Sequence, residues 1–395
     1  MLPQTTRDSL VALRRQLHRA PELRFAEFKT AGLLAARLRE AGLRTRTGQA
    51  VTGIVATLGD EEAGLHVLVR ADMDALPTQD LKTADYASTN SGVCHACGHD
   101  VHMAVVIGLA EHLAAGEPLA GRVSFVFQPA EEIPFGEDSG GQAMLDTGVL
   151  TDVDVVLGLH CWPDLPAGTI GVDRHTAMAA KSAFQITVTG VGAHAATPSG
   201  GRDALLAASQ MVVALHHLHG RALDPGDRVE LNVGTLKSGT SQSIVPSTAS
   251  MTGTIRSVDE GIAARLRGAV ERVAQGIASA CDVTAHIEWK NEMPPVRNDA
   301  ALVQRALDVL DAADGIEVQL LDEPPMTADD FALYAQQRPG LYVKLGVRSP
   351  LGEVGTHPLH DGRFDVDESA IDTGVRALAC VVKDLFDSGW DGTQR

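Results

Sequence analysis

The sequence predicts an α/β fold with a mostly parallel central sheet, helices on both of its faces, and an inserted α+β lid domain. Three observations support it. Apolar strands alternate with helical patterns up to about residue 178, strands with alternating apolar and polar residues then take over, and the first pattern resumes near residue 292. Strands buried on both faces are nearly continuous apolar runs, whereas half-exposed strands alternate.

The first part of the chain begins with two amphipathic helical patterns in residues 8–43. A third helix is predicted over 101–116, and residues 140–150 fit either a helix or a loop. The predicted strands are short apolar runs bounded by polar or turn residues: 52–59, 65–72, 122–129 and 153–160. Strands that alternate with helices in this way indicate a parallel sheet covered on both faces.

The middle of the chain has the order strand–helix–strand–strand–helix–strand, which is the split βαβ arrangement. The predicted strands are 183–190, 228–239, 249–258 and 283–290, and the predicted helices are 203–220 and 261–280. We therefore predict a discontinuous catalytic domain of residues 1–178 and 292–395, which ends with a helix over 368–386. A lid domain of residues 179–291 is inserted between its halves.

Composition excludes several classes of function. The 395 residues are 44% hydrophobic and carry a net charge of −18 without any basic run, so a nucleic-acid partner is not expected. No apolar run has the shape of a signal peptide or the length of a membrane span, so a cytoplasmic protein without membrane contact is expected. Five unevenly spaced cysteines are not a disulfide framework, and Cys281 and Cys380 are expected to be buried, inert thiols.

Polar side chains with metal-binding chemistry follow three of the predicted strands and occupy two loops. Ligands of open α/β sheets gather at the carboxyl ends of the strands, so these residues are expected to meet at one edge. The set consists of Asp72, Asp74, Cys97, His99, Glu131, Glu132, His160, His357 and His360.

Thiolate, imidazole and carboxylate together favour zinc, although imidazole and carboxylate also bind manganese, cobalt or nickel. The Cys94-x-x-Cys97 spacing also occurs in redox sites and structural zinc sites. Redox motifs normally open a helix directly after a strand, whereas a polar loop precedes this one.

The sequence resembles the M20 metallopeptidase family over nearly its whole length. The similarity is greatest to the amidohydrolase branch of hippurate hydrolases, N-acyl-amino-acid amidohydrolases (aminoacylases) and plant auxin-conjugate hydrolases. The motifs that carry it, in chain order, are HRAPELRFAE (18–27), RADMDALP (70–77), HACGHDVH (95–102), FVFQPAEE (125–132), GLHCWPDLPAGTIGV (158–172), GVGAHAATP (190–198), GTIR (253–256), TADDF (327–331), RPG (338–340) and PLHDGRFDVDE (358–368).

The resemblance implies a hydrolase that cleaves the amide bond of an N-acyl amino acid with two divalent metal ions per subunit, Zn²⁺ or Mn²⁺ by preference. Glu131 would be the general base, His194 would stabilise the oxyanion, and Asp72 and Asp74 would orient the ligands. Cys97 would bridge the two ions as a thiolate. The remaining ligands would be His99, Glu132, His160 and His360.

The lid residues are expected to set specificity and assembly. Arg256 in GTIR would bind a substrate carboxylate, for which a planar guanidinium is well suited, or would be a surface arginine. Ser243 and Ser199 stand where relatives commonly have asparagine and histidine, so the substrate itself is uncertain from the sequence. The resemblance also implies a homodimer, or a dimer-based oligomer, formed through the lid.

Two other functions remain open at this stage. A dipeptidase or carboxypeptidase of the same family would need an acidic group placed for a free α-amine on the acyl side. A non-catalytic metal-binding or ligand-binding protein on the same scaffold would have no use for Glu131 as a spare base.

Several further side chains are expected to be structural. His18 is expected to pack or cap the first helix, and Cys94 is expected to pack. His102 would orient a ligand or be a neutral hydrogen-bonded histidine. The cluster His216, His217 and His219 on a lid helix is expected to face solvent.

Overall fold

The computed structural model describes residues 1–60, 64–134, 136–218, 224, 226–352 and 354–390. The helices are α1 (Gln4–Arg19), α2 (Phe28–Glu40), α3 (His99–Ala114), α4 (Gly140–Asp146), α5 (Ala204–His216), α6 (Glu260–Ala280), α7 (Ala300–Asp311), α8 (Phe331–Ala335) and α9 (Ala370–Ser388). The strands are β1 (Arg44–Gln49), β2 (Gly53–Gly59), β3 (His66–Asp72), β4 (Arg122–Gln128), β5 (Val155–Pro166), β6 (Thr169–Asp173), β7 (Thr176–Met178), β8 (Ala180–Thr189), β9 (Ala193–His194), β10 (Val229–Ser238), β11 (Ile244–Val245), β12 (Thr248–Ser257), β13 (Thr284–Met293), β14 (Val296–Arg297), β15 (Glu317–Leu321) and β16 (Gly340–Arg348).

The large sheet has eight strands in the order β1-β2-β4-β3-β5-β16-β6-β15. Its centre is parallel: β3 pairs with β4 and β5, and β5 pairs with β16. Neighbouring residues of β3 point to opposite faces, so Val67 and Val69 join the core beneath α1, α2, α3 and α9, whereas Leu68 joins the core that contains Phe331 and Tyr334 of α8. The predicted mostly parallel sheet with helices on both faces is confirmed.

The second sheet has four antiparallel strands in the order β10-β12-β8-β13. Phe184, Ile186 and Val188 of β8 point to one face and pack under α5 and α6 in a separate core. The opposite face carries polar side chains, among them Lys181, Gln185 and Arg256. This is the predicted split βαβ unit, and the short pair β7–β14 lies at its junction with the larger sheet. The domain boundaries at 178/179 and 291/292 stay a prediction.

Some local expectations need correction. Helix α3 begins at His99 rather than Val101, so the second residue of the Cys97–His99 pair is the first residue of a buried helix. Cys281 and Cys380 are half-buried rather than fully buried. His216 and His217 are exposed as expected, and His219 lies outside the described residues. In the described part of the chain, no helix has the length and apolar character needed to cross a bilayer.

Candidate metal centre and active site

The predicted metal ligands converge at the carboxyl ends of the parallel strands. Because Arg70 of β3 is in register with Gly158 of β5, His160 lies at the level of Asp72. The turn at Gly98 brings Cys97 and His99 to the same edge. Gly98 has a φ of 84°, and a Cβ on it would lie 2.8 Å from the Cys161 sulfur. A left-handed glycine is therefore needed for this loop to pass so close to β5.

Two groups of ligand atoms share the Cys97 sulfur. One consists of Cys97, His99 and His160, and the other of Cys97, Glu132 and His360; within each group all ligand atoms lie within 4.8 Å of one another. The sulfur lies 3.4 Å from Nε2 of both His160 and His360. Glu132 Oε1 lies 2.9 Å from His360 Nε2. Cys97 could therefore contribute its sulfur to a metal ion held by either group.

The two buried histidines are oriented by backbone carbonyls. His99 Nδ1 donates to the carbonyl oxygen of Asp74 at 2.8 Å, and His160 Nδ1 donates to that of Cys161 at 2.8 Å. The Nε2 atom of each ring is thereby left to point at the cluster. His99 Nε2 is buried yet has no hydrogen-bond partner among the described residues, and the buried Glu132 Oε1 faces His360 Nε2 at 2.9 Å. Buried polar atoms of this kind fit a metal pair, since a bound cation would satisfy them.

The electrostatics of the cluster also favour bound cations. Although burial disfavours the imidazolium, Asp72 and Asp74 raise the pKa of His99 to about 10. Burial, then the carboxylates of Glu132 and Glu131, raise the pKa of the Cys97 thiol well above its usual range. Negative charge is therefore in excess, and a thiolate here needs a cation beside it.

Glu131 and Glu132 have different environments. Burial and then the carboxylates of Glu132, Asp329 and Asp330 raise the pKa of Glu131 well above its ordinary value. For Glu132, burial acts in the same direction, but the hydrogen bond from His360 and its charge lower the pKa overall. Neighbouring carboxyl groups whose pKa values are pushed apart suit different tasks, a proton carrier and an ionised ligand.

The backbone between β4 and these glutamates is held by two buried carboxylates. Asp74 accepts hydrogen bonds from the backbone N–H groups of Glu131 and Glu132 at 3.0 and 2.9 Å. Glu27 accepts one from Ala130 N at 3.0 Å. Ala130 has a φ of 51°, which is uncommon for a residue with a side chain. The bend that places Glu131 therefore depends on contacts from residues distant in the sequence.

Asp72 orients His102, and His102 in turn supports the strand of His160. His102 Nδ1 donates to Asp72 Oδ1 at 2.6 Å, and His102 Nε2 accepts the backbone N–H of Cys161 at 2.9 Å. Both ring nitrogens are thus used, so His102 is a neutral hydrogen-bonded histidine and not a ligand. Because their oxygens bind protein groups, Asp72 and Asp74 are placed to orient the candidate ligands, and this role stays a prediction.

A fully buried arginine, which the sequence did not single out, neutralises the acidic groups behind the centre. Arg70 lies 2.6 Å from Asp72, 3.3 Å from Asp329 and 2.5 Å from Asp330. Asp330 also accepts hydrogen bonds from Gln128 and Ser139. The only signal in the sequence was the position of Arg70 just before Asp72, at the end of an apolar strand.

The remaining cysteine and histidine of the motif region are structural. Cys94 is buried, and burial raises its pKa to about 11, so it is a poor redox thiol. His18 is buried between Asp100 Oδ2 at 2.7 Å and Asp80 Oδ2 at 3.3 Å, and it packs as expected.

Comparisons with known proteins agree with this geometry. Residues 68–384 match the sequence profile described as Peptidase family M20/M25/M40. N-acetyl-L-cysteine deacetylase of Bacillus subtilis is 35% identical over 97% of this chain and 90% of its own length. The chain belongs to the M20 peptidase family. It is therefore a hydrolase of this family, and the family predicted from its motifs is confirmed.

Two further M20 relatives show the range of activities nearby. Thermostable carboxypeptidase 2 of Saccharolobus solfataricus is 32% identical over 94% of both chains. A Bacillus subtilis crystal structure described as a dinuclear metal binding peptidase from the M20 family superposes with a TM-score of 0.83 at 31% identity, covering 98% of this chain and 100% of that one.

The candidate metal ligands of this M20 chain line a cleft of about 530 Å³ whose lining also includes lid residues. One wall contains Glu131, Glu132 and His360, and Trp162 also lines the cleft, with its ring centroid 6.4 Å from that of His160. Its far end is formed by Lys181, Glu230 and Arg256, which are neighbours on three lid strands. Arg256, predicted to bind substrate, thus lines the cleft, and the sequence did not single out Lys181 and Glu230.

His194 and Ser243 lie away from this cleft. They are on adjacent lid strands, where His194 is paired with Ile244 and Ala195 N donates to the carbonyl of Ser243 at 3.0 Å. Both side chains are exposed. His194 Nδ1 accepts the backbone N–H of Ala196 at 3.0 Å, which leaves Nε2–H free to donate. In a single chain, therefore, His194 is a free donor that does not reach the metal ligands.

Proposed function

We propose that this M20 hydrolase is an amidohydrolase that releases an amino acid from an N-acyl amino acid by using two divalent ions, Zn²⁺ or Mn²⁺, or alternatively Co²⁺ or Ni²⁺. One observation carries the proposal: two ligand groups share Cys97, while Glu131 lies beside them and is not needed to complete either group. A purely structural metal site has no use for such a carboxylate.

The proposed ligands are Cys97, His99, Glu132, His160 and His360. When bound, a pair of divalent ions would supply Lewis acidity, lowering the pKa of water and polarising the amide carbonyl. Glu131 would accept the proton of the attacking water and pass it to the departing nitrogen. Burial and the neighbouring carboxylates raise its pKa, which favours its holding the proton between the two steps.

The cleft suggests how an N-acyl amino acid would lie. Arg256, on the lid wall of the cleft, would bind the carboxylate of the amino acid, and burial lowers its pKa although Glu230 acts in the opposite direction. The acyl group would then occupy the wall near Trp162 and Leu359. Among the described lining residues, the one carboxylate besides Glu131 and Glu132 is Glu230, which is next to Arg256. None of these described residues is a carboxylate placed to bind a free α-amine on the acyl group of a substrate, as a dipeptidase would need. This favours an amidohydrolase.

We also propose a homodimer in which His194 serves the neighbouring subunit. The exposed large apolar side chains of the lid include Val191, Leu205, Leu206, Val213, Leu236 and Ile244. Burial of such side chains against a second copy would remove them from water. His194 and Ile244 are paired residues of the two-stranded sheet β9–β11. A dimer interface that covers Ile244 would therefore bring His194 close to the partner subunit. One oxyanion donor typically contributes about 3 kcal/mol to transition-state stabilisation.

The test is a comparison of wild type and Glu131→Gln after metal loading, with N-acetyl and N-benzoyl amino acids as substrates and dipeptides as controls. The glutamine variant is expected to bind metal with unchanged stoichiometry and to lose turnover by a factor of 10²–10⁴. Hydrolysis at the wild-type rate would contradict the role of Glu131. Faster cleavage of dipeptides than of N-acyl amino acids would support a carboxypeptidase or dipeptidase, as the name of one relative suggests.

A further inference from the structure

Two cations lie side by side at the lid end of the cleft. Arg256 of β12 and Lys181 of β8 are paired residues of adjacent antiparallel strands, and both are half-buried. Residues paired in this way have Cβ atoms about 4.5–5.5 Å apart on the same face of a sheet. Like charges at this spacing repel each other unless an anion lies between or beside them.

Neither cation forms an ion pair with a described residue, although the carboxylate of Glu230 interacts with Arg256 at longer range. Among the described residues, no carboxylate oxygen is within ion-pair distance of the Lys181 ammonium or the Arg256 guanidinium, and Arg256 donates a single side-chain hydrogen bond, to Thr254 Oγ1 at 3.2 Å. Glu230 is the residue paired with Arg256 on the opposite side, on β10, and it is exposed. The three side chains together carry one net positive charge, and Lys181 lies two strands away from Glu230.

We infer that the lid end of the cleft accepts two carboxylates, one at Arg256 and the other at Lys181, so that the preferred substrates are N-acyl derivatives of dicarboxylic amino acids. This inference rests on the proposed function. Arg256 would hold the α-carboxylate in the planar geometry of a guanidinium pair, and Lys181 would bind the side-chain carboxylate as a point charge. The two carboxyl groups of aspartate or glutamate are separated by two or three carbon atoms, a span that fits two neighbouring strands.

A single carboxylate held by both cations is the competing arrangement, and it predicts a different selectivity. In that case Lys181 would contribute to every N-acyl amino acid equally. With two carboxylate positions, Lys181 would contribute only to acidic substrates. The ratio of kcat/KM for an acidic substrate to that for its neutral amide therefore distinguishes the two arrangements, independently of changes in overall activity.

The experiment measures kcat/KM of the metal-loaded enzyme for N-acetyl-L-glutamate and N-acetyl-L-aspartate and for the shape-matched N-acetyl-L-glutamine and N-acetyl-L-asparagine. Wild type is expected to prefer the acids on the order of tenfold or more, the usual effect of a charged hydrogen bond. Lys181→Met is expected to reduce this ratio to near one. The matched control is Lys290→Met, since Lys290 on the adjacent strand β13 is exposed and does not line the cleft. It should leave the ratio unchanged.

Three outcomes would overturn the inference: equal hydrolysis of acids and amides by wild type, a proportional loss on all four substrates in Lys181→Met, or the same change of ratio in Lys290→Met. Failure of the proposed function looks different. In that case the metal-loaded wild type would hydrolyse none of the four substrates, nor N-acetyl-L-methionine.

Discussion

Replacement of Asp74 by asparagine tests whether the position of Glu131 and Glu132 depends on one distant carboxylate. Asp74 is buried, and its two oxygens accept the backbone N–H groups of Glu131 and Glu132. Its own carbonyl oxygen accepts from His99 Nδ1. The side chain thus holds the proposed base and one proposed ligand, while its backbone orients a second ligand.

The magnitude follows from these contacts. A hydrogen bond to a charged group typically contributes about 1.5–3 kcal/mol. Asparagine keeps one acceptor oxygen but presents an amide nitrogen to the other N–H, so one bond is lost and the second loses its charge. We expect the free energy of unfolding to fall by roughly 2–4 kcal/mol. Metal affinity or kcat/KM should fall by about 10–100-fold, the usual effect of removing a group that orients a ligand.

The assay combines urea unfolding, metal titration and hydrolysis of an N-acetyl amino acid. Asp299→Asn is the matched control, because Asp299 accepts the backbone N–H groups of Ala301 and Leu302 at the start of α7, away from the centre. It should change stability by less than about 1 kcal/mol, since asparagine caps helices as well as aspartate does, and leave metal affinity unchanged. Wild-type metal affinity and kcat/KM in Asp74→Asn would refute the reasoning.

The remaining predictions concern charge, backbone, pH and assembly. Arg70→Met should lower the free energy of unfolding by about 3–5 kcal/mol in urea titrations, because it leaves three buried carboxylates without their cation; unchanged stability would contradict this. Gly98→Ala should lower the melting temperature and metal affinity, since a left-handed residue costs about 1–2 kcal/mol and the new methyl group meets Cys161. Burial and Arg122 lower the pKa of His66 to about 4. Between about pH 4 and 6.5 His66 is therefore protonated in the unfolded chain and neutral in the folded one, so the free energy of unfolding should rise with pH over this range. Over that window the free energy of unfolding should change by roughly 2–3 kcal/mol. In His66→Gln the urea midpoint should depend less on pH, and an unchanged pH dependence would contradict this role of His66. Mixed inactive subunits carrying His194→Ala and Glu131→Gln should regain about a quarter of wild-type activity after exchange if His194 acts across a two-fold dimer, and no recovery would show that His194 does not serve the neighbouring subunit.

Much of the fold is readable in the periodicity of the chain. Continuous apolar runs such as Val67–Val69 predicted buried parallel strands, and the alternating β8 and β12 predicted a half-exposed sheet. The convergence of the candidate ligands was also readable, because polar residues after apolar strands collect at one edge. Helix α3 was placed two residues late, since its first turn contains His99 and Asp100, which look like loop residues in the sequence.

What each polar residue does was not readable in the same way. Asp72 and Asp74 have the same chemistry as Glu132, and only their hydrogen bonds distinguish them, since their oxygens are taken by His102, Arg70 and two backbone N–H groups. These partners lie tens of residues away in the sequence. The local sequence pattern does not show which partner a polar side chain will bind, because that partner is determined by the packing of segments that are distant in the sequence.

By itself, the sequence determined the order of the helices and strands, the family of the chain and the residue types that can bind metal, because periodicity and short motifs are local properties. Only the tertiary structure decided that two groups of candidate ligands share Cys97, that Lys181 lies next to Arg256, and that His194 does not line the cleft. These features depend on strand register and on the orientation of the lid strands, and both arise from contacts between residues far apart along the chain.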